Sequence, residues 1–163
     1  MTRVLVIGGG IIGCCIADAL AEANVEVTVL ERDRIASGSS GLAVGIVESQ
    51  YVDPGWIDLR VFARRAFDAL ADEADIGFVR SGYLRLGYSA DDVALFEGSV
   101  AHQRTLGVED ARCVGIDEIA ALVPSLRTDD VAGGLWCPSD GYVDPHLATV
   151  AFGNRARARG AVI

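Results

Sequence analysis

Three glycines and one carboxylate carry the clearest chemistry in this chain. Gly8, Gly10 and Gly13 stand in the order G-x-G-x-x-G, and Glu31 follows eighteen residues beyond the last of them. A turn of this kind, set between a strand and a helix, presents bare backbone N–H groups at the positive end of the helix dipole, where phosphate oxygens are held. Gly8 permits the tight turn, Gly10 lets the backbone approach a pyrophosphate, and Gly13 lets helix and strand pack closely. The N–H groups around Ile11 and Ile12 then face the phosphates. Glu31 is placed to accept hydrogen bonds from the ribose hydroxyls of an adenosine, and its charge disfavours a 2′-phosphate. The glycine triplet alone is a weak signal; strand, helix, second strand and terminal acid in register make it strong.

Other reactive side chains are few. All 14 basic residues are arginine, so neither a lysine Schiff base nor a lysine phosphate loop can be built. Cys14, Cys15, Cys113 and Cys137 form no CxxC pair, and His102 and His146 are the only histidines, so no metal site is expected. Cys14 and Cys15 follow the glycine turn, where a dipole can stabilise a thiolate, but two small side chains packed on the first strand is the favoured reading. His102 reads as solvated and His146 as a surface or interface residue. Trp136 and Tyr142 read as aromatic filling, and Arg64-Arg65 as the polar side of a helix. No catalytic residue is assigned.

The elements that must position the turn read as follows. Val4–Ile7 is a short apolar run, expected of a strand buried on both faces. Residues 11–23 form a helix with Ile12, Ile16, Ala19, Leu20 and Ala23 on its apolar stripe and Asp18 and Glu22 opposite, ended by a left-handed Asn24. Residues 25–30 form the second strand, completing a βαβ unit. A serine–glycine stretch spans 36–45. Helices are predicted over 56–75, with Leu59, Phe62, Ala63, Ala66, Phe67 and Leu70 inward, and over 90–106, 116–122 and 145–160. Residues 78–88 read as a hairpin or two short strands, and 131–136 as another strand. Ser89 and Asp144 are N-caps, with Pro145 at the first helical position.

Composition sets the outer bounds. The length fits about one domain with an insertion. The net charge of −9 argues against nucleic-acid or anionic-membrane binding. The 51% of hydrophobic residues suffices for a packed core. No apolar run is long enough to span a membrane. Scattered thiols without an export signal point to a reducing, cytoplasmic setting.

The segments GGGIIG (8–13), VLERDRIASGSSGLAVGIV (29–47), SGYLRLG (81–87) and LWCPSDGYVDPHLATVAFGNRARARGAVI (135–163) together resemble the D-amino-acid oxidase superfamily. The likeness is nearest to its glycine oxidase, sarcosine oxidase beta subunit and dimethylglycine dehydrogenase types. It runs through the whole chain and implies an α/β, Rossmann-like fold binding FAD, with an inserted α+β substrate-side region. It also implies oxidation of a C–N bond in a small amino acid or amine by hydride transfer to the flavin. Position by position, Gly8, Gly10, Ile11, Ile12 and Gly13 would line the pyrophosphate, and Glu31 and Arg32 the adenosine ribose. Ser39, Ser40 and Gly45 would approach the second phosphate, ribityl chain and flavin ring. Residues 1–45 and 141–163 would form the FAD-binding domain and 46–140 the insertion. Chains of this family usually run more than twice this length. The third parallel strand begins at Ala161 and the sequence stops there, so a missing C-terminal half or a partner chain is expected to complete the site. Two rivals remain: an NAD-binding dehydrogenase domain, and a catalytically inert split subunit.

Overall fold

Short runs rich in β-branched residues form the first two strands, β1 (Arg3–Ile7) and β2 (Glu26–Leu30), which pair in parallel with Val6 beside Val29. A computed structural model describes them within residues 2–163 and shows an α/β protein. The parallel pairing requires a crossover, supplied by α1 (Ile11–Glu22). Asn24 leaves that helix in the left-handed region, at φ 58°, as its position predicts. Val162 joins the far side of β2: its N–H donates to Val27 and its carbonyl accepts from Val29, at 3.0 and 2.7 Å.

Alternation along the strands puts Val4, Val6, Val27 and Val29 on one face. There Val6, Val27 and Val29 meet Ala17 and Ala21 of α1 and Ala156 of α5 (Pro145–Ala158). The opposite face is open, with Leu5 59% and Ile7 85% exposed. The expectation that β1 is buried on both faces is therefore corrected: helices cover one face only. The inward stripe of α1 is corrected as well. Gly13, Cys14, Ala17, Asp18 and Ala21 face inward, whereas Ile12 and Ile16 are exposed. Close helix–strand approach admits only small side chains, so the larger isoleucines turn outward.

Asp18 is inward because it has partners there. Its carboxylate accepts from Arg155 Nη2 at 2.8 Å and from Arg159 Nη1 at 2.6 Å, tying α1 to the end of α5. Asp144 caps α5 by accepting from the N–H groups of His146 and Leu147, and Gly160 ends the turn beyond it at φ 99°. These elements belong to a first unit that comprises the residues up to Ile46, Phe67–Phe78 and Val143–Ile163. The segment 67–78 lies with this unit, a difference from the 46–140 insertion boundary. Phe67 stacks edge-on against Phe152 at 5.6 Å, and Glu73 pairs with Arg155.

The second unit comprises Val47–Ala66 and Val79–Tyr142. Two short strands, β3 (Ile46–Val47) and β7 (Gly141–Tyr142), carry the outgoing and returning chain. Helix α2 (Pro54–Glu73) contributes its first three turns here. The buried apolar positions of α2 are Ile57, Val61 and Leu70; Leu70 belongs to the predicted stripe, whereas Leu59 and Phe62 of that stripe are exposed. The sheet is antiparallel in the order β4 (Tyr83–Gly87), β6 (Gly133–Cys137), β5 (Arg112–Val114). Thus 78–88 is not a hairpin; β4 finds its partner nearly fifty residues later, a pairing that local pattern does not encode. Helix α3 (Ala90–Thr105), capped by Ser89 as expected, packs Phe96 and Val100 on Leu135. Helix α4 (Ile116–Leu122) packs Ile119 beside Val114 and Val131, and the Trp136 ring lies against Gly82.

Inside this unit Arg64 is not on a polar surface. It donates at 3.2 Å to the fully buried Asp140, whose Oδ1 also accepts from the Ser49 N–H and hydroxyl. Burial pushes the Asp140 carboxyl up, against the Ser49 bonds and the Arg64 charge. No helix among the described residues is long and apolar enough to cross a membrane.

Candidate functional site

The turn between β1 and α1 is built as the three glycines demand. Gly8 sits at φ 104°, open to glycine and strained for other residues. A Cβ on Gly13 would lie 2.0 Å from the Gly8 carbonyl oxygen, so close packing of turn and helix requires hydrogen there. The α1 N-cap is Gly10, which offers no side-chain cap, and the orphan N–H of Ile11 donates instead to Ser40 Oγ at 2.9 Å. Ser40 comes from a 3-10 turn over Ser39–Leu42. An ideal Cβ on Gly10 would stand 2.9 Å from the same hydroxyl.

Glu31, at the end of β2, closes the other side. One carboxylate oxygen accepts from the Gly9 N–H at 2.6 Å and the other from the Asp33 N–H at 3.0 Å. These bonds, the Gly9 one foremost, hold its carboxyl below the usual carboxylate range. The Ala36 N–H donates to the Gly9 carbonyl at 3.1 Å, so the segment after β2 is fastened to the glycine turn. Gly8, Glu31 and Arg32 line a cavity of about 420 Å³ with Ile7 and Leu30. A larger groove of about 960 Å³ runs from Glu31 past Arg34, Ser37, His146 and Arg157 to Ile163.

The structure thus gathers Gly8, Gly10, Ile11, Gly13, Glu31, Arg32 and Ser40 around one helix end. Ile12 is in the first turn, its side chain exposed. Ser39 opens the 3-10 turn at the surface. Gly45, at φ 79°, lies elsewhere, against the Val143 carbonyl, and accepts the Val143 N–H at 2.9 Å. Sequence reading missed Gly9 and Ala36, whose backbone groups fasten the site, and His146 and Arg157, which reach the groove only through the tertiary placement of α5.

The cysteines beside the turn are not poised to react. Cys14 is buried and its Sγ lies 3.6 Å from the Gly9 carbonyl. Burial pushes its thiol up and pushes the Cys15 thiol to about 12. The chemistry this site supports is anion and hydroxyl recognition: backbone donors at a helix N-terminus on one side and a carboxylate acceptor on the other.

The chain is similar to known proteins along nearly its whole length. Dimethylglycine dehydrogenase of Rattus norvegicus is 29% identical over 99% of this chain, which covers 19% of that protein. Glycine oxidase of Geobacillus kaustophilus is 27% identical over 98% of this chain, which covers 45% of that protein. The crystal structure of L-proline dehydrogenase from P. horikoshii superposes with a TM-score of 0.85 at 34% identity, over 99% of this chain and 43% of that one. The chain therefore spans less than half the length of these relatives. Residues 3–163 match the family model described as FAD dependent oxidoreductase, and to that family this chain belongs.

Proposed function

We propose that the first unit is the Rossmann-like FAD-binding part of an enzyme that oxidises the C–N bond of a small amino acid or amine. The observation that carries this reading is the convergence of Glu31, Ser40 and the Gly8–Gly13 turn on one helix N-terminus. The parallel order β1, β2, Val162 fits the same fold. FAD, when bound, supplies the acceptor for the hydride that leaves the substrate carbon.

The chain's own residues bind and orient that group. The Ile12 N–H, and the Ile11 N–H on exchanging its Ser40 Oγ partner, would take pyrophosphate oxygens, with Gly8, Gly10 and Gly13 leaving the necessary room. Glu31 accepts from the ribose hydroxyls while retaining the Gly9 bond that aims it, and Arg32 borders the same cavity. Ser39 and Ser40, on the 3-10 turn beside the helix end, would approach the second phosphate and ribityl chain; Gly45, held against Val143 away from that end, would be left for the flavin ring. The second unit, Val47–Ala66 and Val79–Tyr142, forms the substrate side, so that 67–78 is taken out of the 46–140 insertion. The 43–45% coverage of L-proline dehydrogenase and glycine oxidase supports reading the chain as the N-terminal part of a longer catalytic unit, completed by further sequence or a partner.

Titration of the purified chain with FAD and NAD tests the assignment. We expect saturable FAD binding, weaker NAD binding, and loss of both in Gly10→Val with far-UV circular dichroism retained. Preference for NAD, or wild-type affinity in Gly10→Val, would overturn it.

A further inference from the structure

Two arginines of the second unit converge on one carboxylate. Arg60 Nη1 donates to Glu48 Oε1, and Arg85 Nη2 donates to Glu48 Oε2 at 3.0 Å, so the two oxygens of Glu48 bridge two guanidinium groups from different elements. Arg60 projects from α2 and Arg85 from β4. Tyr51 lies between them, its ring centroid 4.6 Å from the Arg60 guanidinium carbon and 5.8 Å from that of Arg85. The Tyr83 ring stands 5.6 Å from Arg85. The arginines keep 30% and 29% of their side chains exposed, against 13% for Glu48.

This arrangement has the geometry of carboxylate recognition, with Glu48 as the internal occupant. It also keeps charge in reserve: two guanidinium groups against one carboxylate leave a net charge of +1 in a half-buried, aromatic-walled setting. A charge so placed is screened less than one at the surface. Gln50 stands beside Tyr51 in sequence and is fully buried. Its amide nitrogen donates to the Tyr83 carbonyl at 2.7 Å, while its Oε1 has no partner. On the two arginines themselves, Arg60 Nε and Arg85 Nε are buried donors without a partner, so the cluster retains an unmatched positive charge and unmatched N–H groups, which a small carboxylate complements.

We propose that Arg60, Arg85 and Tyr51 form a binding site for a small free carboxylate, with Glu48 holding the two guanidinium groups in register and competing with the ligand. The site lies wholly in the second unit and is independent of the flavin assignment.

Acetate is the probe, titrated into the full chain while the Arg60 and Arg85 Nε–H signals are followed by NMR. Acetamide serves as the neutral control, with chloride and phosphate at matched ionic strength. We expect saturable shifts with acetate alone. A charge-assisted hydrogen bond is worth enough that Arg85→Gln weakens binding about tenfold or more. Glu48→Gln removes the competitor and raises affinity about threefold or more, a gain that misfolding cannot imitate. Absence of saturation in both the wild type and Glu48→Gln would overturn the proposal. So would an equal response to acetamide, chloride or phosphate, or weaker binding in Glu48→Gln. Flavin titration of the same samples separates the two readings: flavin binding without acetate binding removes only this inference, and the converse removes only the nucleotide assignment.

Discussion

Replacing Asp18 by alanine is expected to destabilise the first unit severely. The Asp18 carboxylate is almost fully buried and accepts from Arg155 Nε and Nη2 and from Arg159 Nη1. Arg155 is only 15% exposed in its side chain, and its remaining carboxylate partner is the half-exposed Glu73 at 3.3 Å. Breaking a buried pair from one side leaves the other charge uncompensated, at a cost of about 3–5 kcal/mol. Because Arg155 retains Glu73 and Arg159 retains Glu22, the lower end, about 3 kcal/mol, is the better figure. For a chain of this size that corresponds to roughly 6–12 °C in Tm. Urea denaturation followed by circular dichroism measures the loss, and hydrogen exchange should assign it to α1 and α5. Exchanging the pair for apolar side chains, as Asp18→Leu with Arg155→Met, should restore more than half of the stability, since no buried charge is then stranded. A single-variant loss below about 1 kcal/mol, or a double variant no better than the sum of its parts, would refute the account.

Three further outcomes follow from the same geometry. Gly13→Ala must push a methyl group against the Gly8 carbonyl, so it should cost about 1–3 kcal/mol in denaturation and abolish nucleotide binding. Wild-type stability with binding intact would show that the turn relaxes freely. Glu31 has a lowered folded-state pKa, so its contribution to stability is complete above its ordinary 4.5 and disappears as pH falls through the lowered value. The stability difference between wild type and Glu31→Gln should therefore be constant above that pH and shrink below it; a pH-independent difference would count against the Gly9 bond. The Cys15 thiol, pushed up to about 12, should react with iodoacetamide at pH 8 roughly a thousandfold more slowly than a free thiol. Mass mapping of the labelled peptide decides, and rapid modification would contradict its burial.

What the sequence made legible was local. The β1–α1–β2 order, the left-handed Asn24, the Ser89 and Asp144 caps and the Glu31 position each depend on residues within a turn or one crossover, and each stands where expected. The glycine turn is legible for the same reason: Gly8 and Gly13 constrain one another five residues apart. Asp18 was not, because its Arg155 partner is 137 residues away. Arg64 was read as a surface cation because the buried Asp140 that claims it lies 76 residues on.

The misread helix faces have a different cause. Hydrophobic periodicity assumes that the largest apolar side chains point at the core, yet a crossover helix laid closely on a parallel strand pair has room only for Gly13, Cys14, Ala17 and Ala21. Size, not polarity, then selects the inward face. The displaced isoleucines at 12 and 16 become surface, and a carboxylate can enter the small-residue stripe wherever a partner helix brings arginines to meet it. The close approach also brings the α1 N-terminus within reach of Glu31 and Ser40 through the turn that precedes it. One packing choice thus accounts both for the failure of the stripe prediction and for the geometry of the site. A larger residue at Ala17 should accordingly disturb nucleotide binding from a distance. Ala17→Leu is expected to force α1 from β2, at about 1–3 kcal/mol in urea denaturation, and to weaken FAD binding although Ala17 touches no part of the turn's hydrogen bonding. Unchanged FAD affinity in a folded Ala17→Leu protein would show that the turn holds its geometry without the helix behind it.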